Sequence, residues 1–303
     1  MSLNSVNTNI GAQVALASLN STNTQLQASQ KRISTGYRVA DATDDGGAYA
    51  VAQRVRSDVG ALTSVNEQLG NAKGLVGTSL SALGKISDSI NTAKDLLVKI
   101  SDNSIHQDQR DQYVASYKSL VTQVANYVDG STYNGQSLLG KTGTVAAAGA
   151  LDKTVVNSEI GSTSKLSGED NGGLASTLAG LIGATFSRSG GVDVFTAAAP
   201  GADQTAASTA LTATTGATAF ATALKGIGNQ LNQAGADSNL LDTTVSFNSS
   251  KIDSLNAGLG ALIDTDLSKE SAKLQSLQIK QQLGTQALSL ANQAPQSLLS
   301  LFK

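Results

Sequence analysis

His106 is the only histidine among 303 residues and cysteine is absent, so two common carriers of catalytic and metal chemistry are almost or wholly missing. A zinc helix of the His-Glu-x-x-His kind needs a second imidazole one turn away, and a nucleophilic triad needs a base beside an activated hydroxyl or thiol. His106 is followed by Gln107, Asp108, Gln109 and Arg110, which supply neither. No glycine-rich loop ending in lysine opens a helix, so no phosphate cradle is encoded. Asp44 and Asp45 are adjacent and could ligate a hard cation, but acidic residues at a helix start are also what the macrodipole favours. No other carboxylates are singled out for acid–base work. The expectation is a protein with no cofactor and no enzymatic activity.

What the sequence does encode is length and periodicity. Val55, Leu62, Leu69, Val76, Leu83, Ile90 and Leu97 recur every seven residues, with Val65, Ala72, Ile86, Ala93 and Ile100 between them. That is the a/d seam of a long helix packed along other long helices, about 70 Å of it at 1.5 Å per residue. Phe220, Leu224, Ile227, Leu231, Ala234, Leu241, Val245, Ile252, Leu255, Leu259 and Leu262 form a second seam with Ser238 and Asn248 as polar interruptions. Gly60, Gly70, Gly74, Gly77 and Gly84 lie inside the first helix, where each costs up to about 1 kcal/mol relative to alanine. Either close backbone approach or softness would account for them.

Hydrophobic residues make up 40% of the sequence, enough for a substantial core and for two or three domains. Charged residues are 15% and the formal net charge is -2, so there is no basic field to hold nucleic acid or an anionic membrane. Met1 to Ser5 lacks the basic and apolar regions of a secretory leader, and no window of 18 apolar residues exists. Neither a cleaved signal nor membrane insertion is expected.

The two ends resemble one another. From Leu3 to Ile33 an amphipathic helix places Leu16, Leu19, Leu26 and Ile33 on one face with Asn23 and Gln30 at seam positions; its first charge is Lys31. After Glu270 no acidic residue follows, while Leu267, Leu274, Leu277, Leu288, Ala291 and Leu298 make a second stripe. A single such end reads as a surface helix on a globular core. Two matched, nearly uncharged ends read as helices able to stack on copies of themselves without repulsion. Ser34 to Gly47 is an irregular connector. Tyr113, Tyr117, Leu120, Val124 and Tyr127 stripe a shorter helix, and Tyr133-Asn134-Gly135 signals a hairpin. From about Lys141 to Thr215 the composition shifts to Ala, Gly, Ser and Thr, with short strands at 154–156, 185–187 and 192–195. This segment interrupts no seam and is expected to be small, exposed and dispensable.

These features resemble bacterial flagellin. Lys31 to Val39, followed by Ala42-Thr43-Asp44-Asp45, is similar to the family's Arg-Leu-Ser-Ser-Gly segment and its Asp-Asp pair. Ile263-Asp264-Thr265-Asp266, Gln281-Gln282-Leu283-Gly284 and the tail from Ala291 to Leu301 resemble its C-terminal segments. Gly46-Gly47 departs from the Ala-Ala-Gly of many relatives and alters how the long helix begins.

The resemblance implies a mainly α fold: a long antiparallel α-helical coiled-coil bundle formed by the N- and C-terminal regions, with a β-hairpin and a small, mostly β inserted variable domain. It implies terminal helices of a filament inner core at 1–42 and 264–303, the bundle at 43–140 and 216–263, and a surface-exposed variable domain at 141–215. The function implied is a subunit exported through the flagellar type III channel that self-assembles outside the cell as a helical homopolymer. Its partners would be an export chaperone, the filament cap and hook-junction proteins. Leu16, Leu19, Leu26, Arg32, Ile33, Leu274, Leu277, Leu283, Leu288, Leu298 and Leu301 are the assembly residues so implied. A hook-filament junction protein shares such ends, and a surface-binding protein would need an aromatic cleft, for which the insert offers only Phe186 and Phe195. In flagellins sensed by the vertebrate Toll-like receptor, a Leu-Gln-Arg-Val-Arg-Glu-Leu-Ala stretch provides contacts. Its equivalent here runs from Ile90 through Thr92, Lys94, Asp95 and Leu96, with Thr92 where the first Arg would be, which implies weak recognition.

Overall fold

The computed structural model describes residues 9–143, 150–189, 192–196, 202–212 and 214–301, with 189, 212, 214–219 and 294–301 as backbone only. The described residues form helices α1 (Ile10–Thr35), α2 (Gly46–Ser101), α3 (Gln107–Gly130), α4 (Leu174–Gly180), α5 (Ala202–Thr212), α6 (Thr214–Ile263) and α7 (Leu267–Leu301). Three antiparallel two-stranded sheets pair β1 (Thr132–Tyr133) with β2 (Gln136–Ser137), β3 (Lys153–Val156) with β4 (Thr163–Leu166), and β5 (Thr185–Ser189) with β6 (Val192–Thr196). The protein divides into two compact units: one up to Gly60 and from Ile252 onward, the other Ala61–Lys251. The boundaries fall inside α2 and α6.

In the second unit the seven-residue repeat of α2 is the core. Leu62, Leu69, Val76, Leu83, Ile90 and Leu97 are buried, as are Val65, Ala72, Ile86, Ala93 and Ile100. Ser79 occupies a seam position and is buried too, but its Oγ donates to the Leu75 carbonyl at 2.9 Å, so the helix satisfies it locally. Asn66 meets Ser249 and Lys73 pairs with Asp242 at 2.6 Å; the numbers run in opposite senses, so α2 and α6 are antiparallel here. Phe220, Ile227, Ala234 and Leu241 of α6 are buried. Asn248, a polar break in that seam, is buried because its Nδ2 donates to the Asn157 carbonyl at the end of β3, at 3.2 Å.

The α3 stripe is rotated from the expected one. Val114, Tyr117, Val121, Val124, Ala125 and Val128 are buried, while Tyr113, Leu120 and Tyr127 sit at the margin. Buried Arg110 closes α2, donating from Nε to the Ile100 carbonyl at 3.1 Å and from Nη2 to that of Asp102 at 2.8 Å. Such cations satisfy orphan carbonyls and complement the helix C-terminus. Asn134 and Gly135 have φ of 49° and 74°, the left-handed pair that a two-residue hairpin of this twist requires.

The three expected strands of the 141–215 segment lie in β3, β5 and β6. The segment is nonetheless built into the unit. Leu166, Leu178, Ile182 and Phe186 are buried in one cluster with Ile86 and Val124, and the Tyr117 hydroxyl donates to the Leu178 carbonyl at 2.9 Å. Replacing the segment by a linker would uncover Tyr117, so dispensability does not follow from the unbroken seams. Arg188 of β5 adds a polar lock: it holds Asp193 of β6 through two nitrogens and reaches Asp129 and Asn126 of α3, each at 2.8 Å. The guanidinium holds the Asp193 carboxyl below its ordinary range.

In the first unit, α1 ends at Gly36 (φ 74°), whose N–H returns to the Arg32 carbonyl at 2.9 Å, a left-handed cap that glycine adopts without strain. The connector is then pinned. Val39, Ala52 and Ile263 form a small core with Tyr49 and Leu259 against it. Arg38 and Val39 N–H both donate to the Ile263 carbonyl, at 2.6 and 3.3 Å, and Thr265 N–H donates to that of Gly36 at 2.9 Å. Asp45 caps α2 through the Ala48 N–H at 3.0 Å, whereas Asp44 accepts from Lys31 and the Ala40 N–H, each at 3.0 Å. The two adjacent carboxylates thus serve different helices.

Candidate functional site

The terminal helices α1 and α7 lie against each other and run antiparallel: Asn9, Asn23 and Ser29 meet Ala291, Gln281 and Glu270. Their seam is mixed. Leu277 is buried, Leu19, Leu26, Ile33, Leu274 and Leu288 are half-buried, and Gly284 lets Leu19 approach so closely that a Cβ there would lie 3.2 Å from its Cδ1. Between these apolar contacts sit polar layers. Asn9 Nδ2 donates to the Ala291 carbonyl at 2.7 Å, Gln281 Nε2 to Asn23 Oδ1 at 2.8 Å, and the buried Ser29 hydroxyl to Glu270 Oε1 at 2.7 Å. Arg32 and Lys273 flank that carboxylate at 3.9 and 3.8 Å. A polar pair at a seam position admits one register and opposes others, because a slip leaves it buried without a partner.

The implied assembly residues therefore separate into two groups. Leu19, Leu26, Ile33, Leu274, Leu277 and Leu288 line the pair, with Arg32 at its edge, whereas Leu16 and Leu283 are exposed at 47% and 58%. Leu298 and Leu301 belong to α7, but their side chains lie outside the described residues. The residues before Asn9 lie outside them as well. Leu283 has company: Ile279 at 58% and Leu290 at 71% exposure share its face at spacings of four and seven. On α1, Ile10 and Val14 are likewise exposed. No charge occurs before Lys31 or between Lys280 and Lys303, so apart from Lys280 beside Ile279 this apolar surface carries no charge that would repel a second copy.

Periodicity did not find Ser29 or Glu270. The available signal was Glu270 itself, the last acidic residue before a long stretch without another. The receptor-equivalent residues are split by the fold: Ile90 is fully buried, Leu96 half-buried, and Thr92, Lys94 and Asp95 exposed. Thr92 uses its hydroxyl on the Asp88 carbonyl at 3.0 Å. Among the described residues no helix is long and apolar enough to cross a membrane, and no three His, Cys, Asp or Glu side chains gather to hold a metal ion.

The terminal helices are thus antiparallel, keyed by polar layers, and carry apolar side chains on an uncovered side. Residues 6–144 match the family model described as the bacterial flagellin N-terminal helical region, and residues 217–302 match the corresponding C-terminal helical region. The sequence is 36% identical to Flagellin FljM of Caulobacter vibrioides over the full length of both. It is 35% identical to a flagellin of Brucella melitensis over 99% of each protein, and 31% identical to Flagellin C of Rhizobium meliloti over 99% of this sequence and all of that one. The chain belongs to the bacterial flagellin family and is a structural subunit of the extracellular flagellar filament.

Proposed function

We propose that α1 and α7 carry the assembly surface of this subunit and that it acts mechanically, without catalysis. The observation that supports this reading is the exposed apolar face Ile279, Leu283 and Leu290 on a helix with no charge between Lys280 and Lys303. Burying that face and its α1 counterpart between neighbours drives polymerisation, because apolar area leaves water and the stretch after Lys280 brings no like charges together. In this arrangement residues 1–42 and 264–303 supply the filament's inner core, 43–140 and 216–263 the next shell, and 141–215 the outer surface. Leu16 and Leu283 make contacts between subunits, while Leu19, Leu26 and Leu277 hold the pair together within one. An export chaperone would cover the same face before assembly, and the filament cap and hook-junction proteins would meet it at the two ends of the polymer.

Truncation tests this. Proteins lacking residues 1–32 or 273–303 should stay soluble and keep a cooperatively melting helical unit, yet fail to polymerise in sedimentation and electron microscopy. Filaments of normal length from both truncated proteins would overturn the assignment.

A further inference from the structure

Two Asn-Gly dipeptides occur in the sequence, Asn134-Gly135 and Asn171-Gly172. Their surroundings are opposite. Intrinsic reactivity is shared: glycine has no side chain to hinder its amide nitrogen, which can attack the preceding asparagine's Cγ. At Asn171 the fold restrains both reacting partners. Its side chain is buried, Nδ2 donates to Gln230 Oε1 at 2.7 Å, and Oδ1 accepts from Gln230 Nε2 at 3.2 Å. The would-be nucleophile, the Gly172 N–H, donates to Asp170 Oδ1 at 2.8 Å. Asn134 and Gly135 sit at the tip of a hairpin with two paired rungs, exposed from Thr132 to Gln136, and the Asn134 side chain has no hydrogen-bond partner among the described residues.

We infer that Asn134 is a site of spontaneous backbone-mediated deamidation in the folded protein, and that Asn171 is protected. The Gly135 nitrogen forms a bond to Asn134 Cγ and loses its proton, and the bond from Cγ to the amide Nδ2 breaks as ammonia leaves, giving a succinimide. Water then opens that ring at either carbonyl, to aspartate or to isoaspartate. One water enters, one ammonia departs, and nothing is oxidised or reduced. Attack requires Asn134 to leave its left-handed conformation. An isolated two-stranded hairpin is marginal by itself, and short exposed elements open at low cost.

The product matters to the fold. Isoaspartate inserts an extra carbon into the backbone between Tyr133 and Gln136, a spacing that the Tyr133↔Gln136 and Thr132↔Ser137 register does not accommodate. Tyr133, whose ring lies against Gly74, would lose its anchor to α2. A subunit in an extracellular polymer would accumulate this change with age.

The test is peptide mapping by mass spectrometry of the full-length protein held in warm, mildly alkaline buffer, once folded and once in concentrated urea, with an enzymatic isoaspartate assay on the same samples. Folded protein should convert Asn134 at least about tenfold faster than Asn171, the ratio given by ~1.4 kcal/mol of extra opening cost. In urea the two should convert at similar rates. Equal rates in the folded protein, an Asn134 that converts only in urea, or no conversion of either in urea would each overturn the inference. An Asn134→Asp variant separates charge from backbone insertion: it should keep the hairpin, whereas the isoaspartate-bearing fraction should lose protection at Tyr133 in hydrogen exchange.

Discussion

Replacing Gly74 by alanine should destabilise the bundle, although the same change elsewhere along α2 should stabilise it. A Cβ on Gly74 would lie 2.6 Å from Tyr133 Cζ and 2.7 Å from its Cε2, closer than carbon atoms approach, so the ring must move. At Gly70, Gly77 and Gly84 nothing lies within 4 Å of the added atom. There, Gly→Ala should gain up to about 1 kcal/mol from helix propensity and the stiffer unfolded state. Tyr133 is 36% exposed, so it can swing outward rather than force the helix apart. Re-exposing roughly 100 Å² of ring at ~25 cal/mol per Å² costs at most ~2.5 kcal/mol. Set against the propensity gain, the net expectation for Gly74→Ala is a loss of about 1 kcal/mol. Urea unfolding of the full-length protein reads the sign through the midpoint. In a Tyr133→Ala background the same substitution should turn stabilising, a coupling that a double-mutant cycle isolates. If Gly74→Ala raises the midpoint as Gly70→Ala does, the close approach of Tyr133 does not govern this position.

Leu83→Asp puts an unpaired carboxylate where exposure is 1%, a cost of about 3–5 kcal/mol; a thermal midpoint within a degree or two of the parent would contradict the seam. The Arg188 lock should be acid-sensitive. Asp193 is held below its ordinary 3.8, so its contribution is full above that value and is lost as the pH falls through the lowered one. The stability gap between parent and Arg188→Met should therefore narrow on acidification, and a gap independent of pH would refute it. Thr92→Arg places a guanidinium at an exposed position of α2 and should strengthen a Toll-like receptor response, with about 2 kcal/mol, or roughly thirtyfold, the scale of one charged hot spot. No rise in a reporter-cell assay would show that other differences dominate.

The long helices were legible because burial repeats every seven residues over many turns, and the seam residues from Leu62 to Ile100 are buried as that period requires. The 141–215 segment was less so. In β4 only Leu166 of Thr-Ser-Lys-Leu is buried, and α4 is too short to show a period, so its share of the core leaves little trace in the pattern. Periodicity also cannot say whether an apolar stripe meets its own polypeptide or another. Leu19 and Leu16 look alike in sequence, and only the fold turns one toward α7 and leaves the other in water. Polar keys such as Ser29 and Glu270 escape for a different reason: pattern reading treats hydrophilic residues as surface.

The connector around Tyr37 has a consequence for load. Helices α1 and α2 break at the same level as α6 and α7, and there the two stretches are riveted backbone to backbone by Arg38, Val39 and Thr265 N–H, with the Arg38 guanidinium on the Leu262 carbonyl as a fourth bond. Pulled along its length, such a joint is loaded in shear. Its bonds must yield together, whereas a joint peeled from one edge yields them singly. The least regular stretch of this unit is therefore where tension in one polypeptide strand is handed across to the other, so neither helical break behaves as a free swivel.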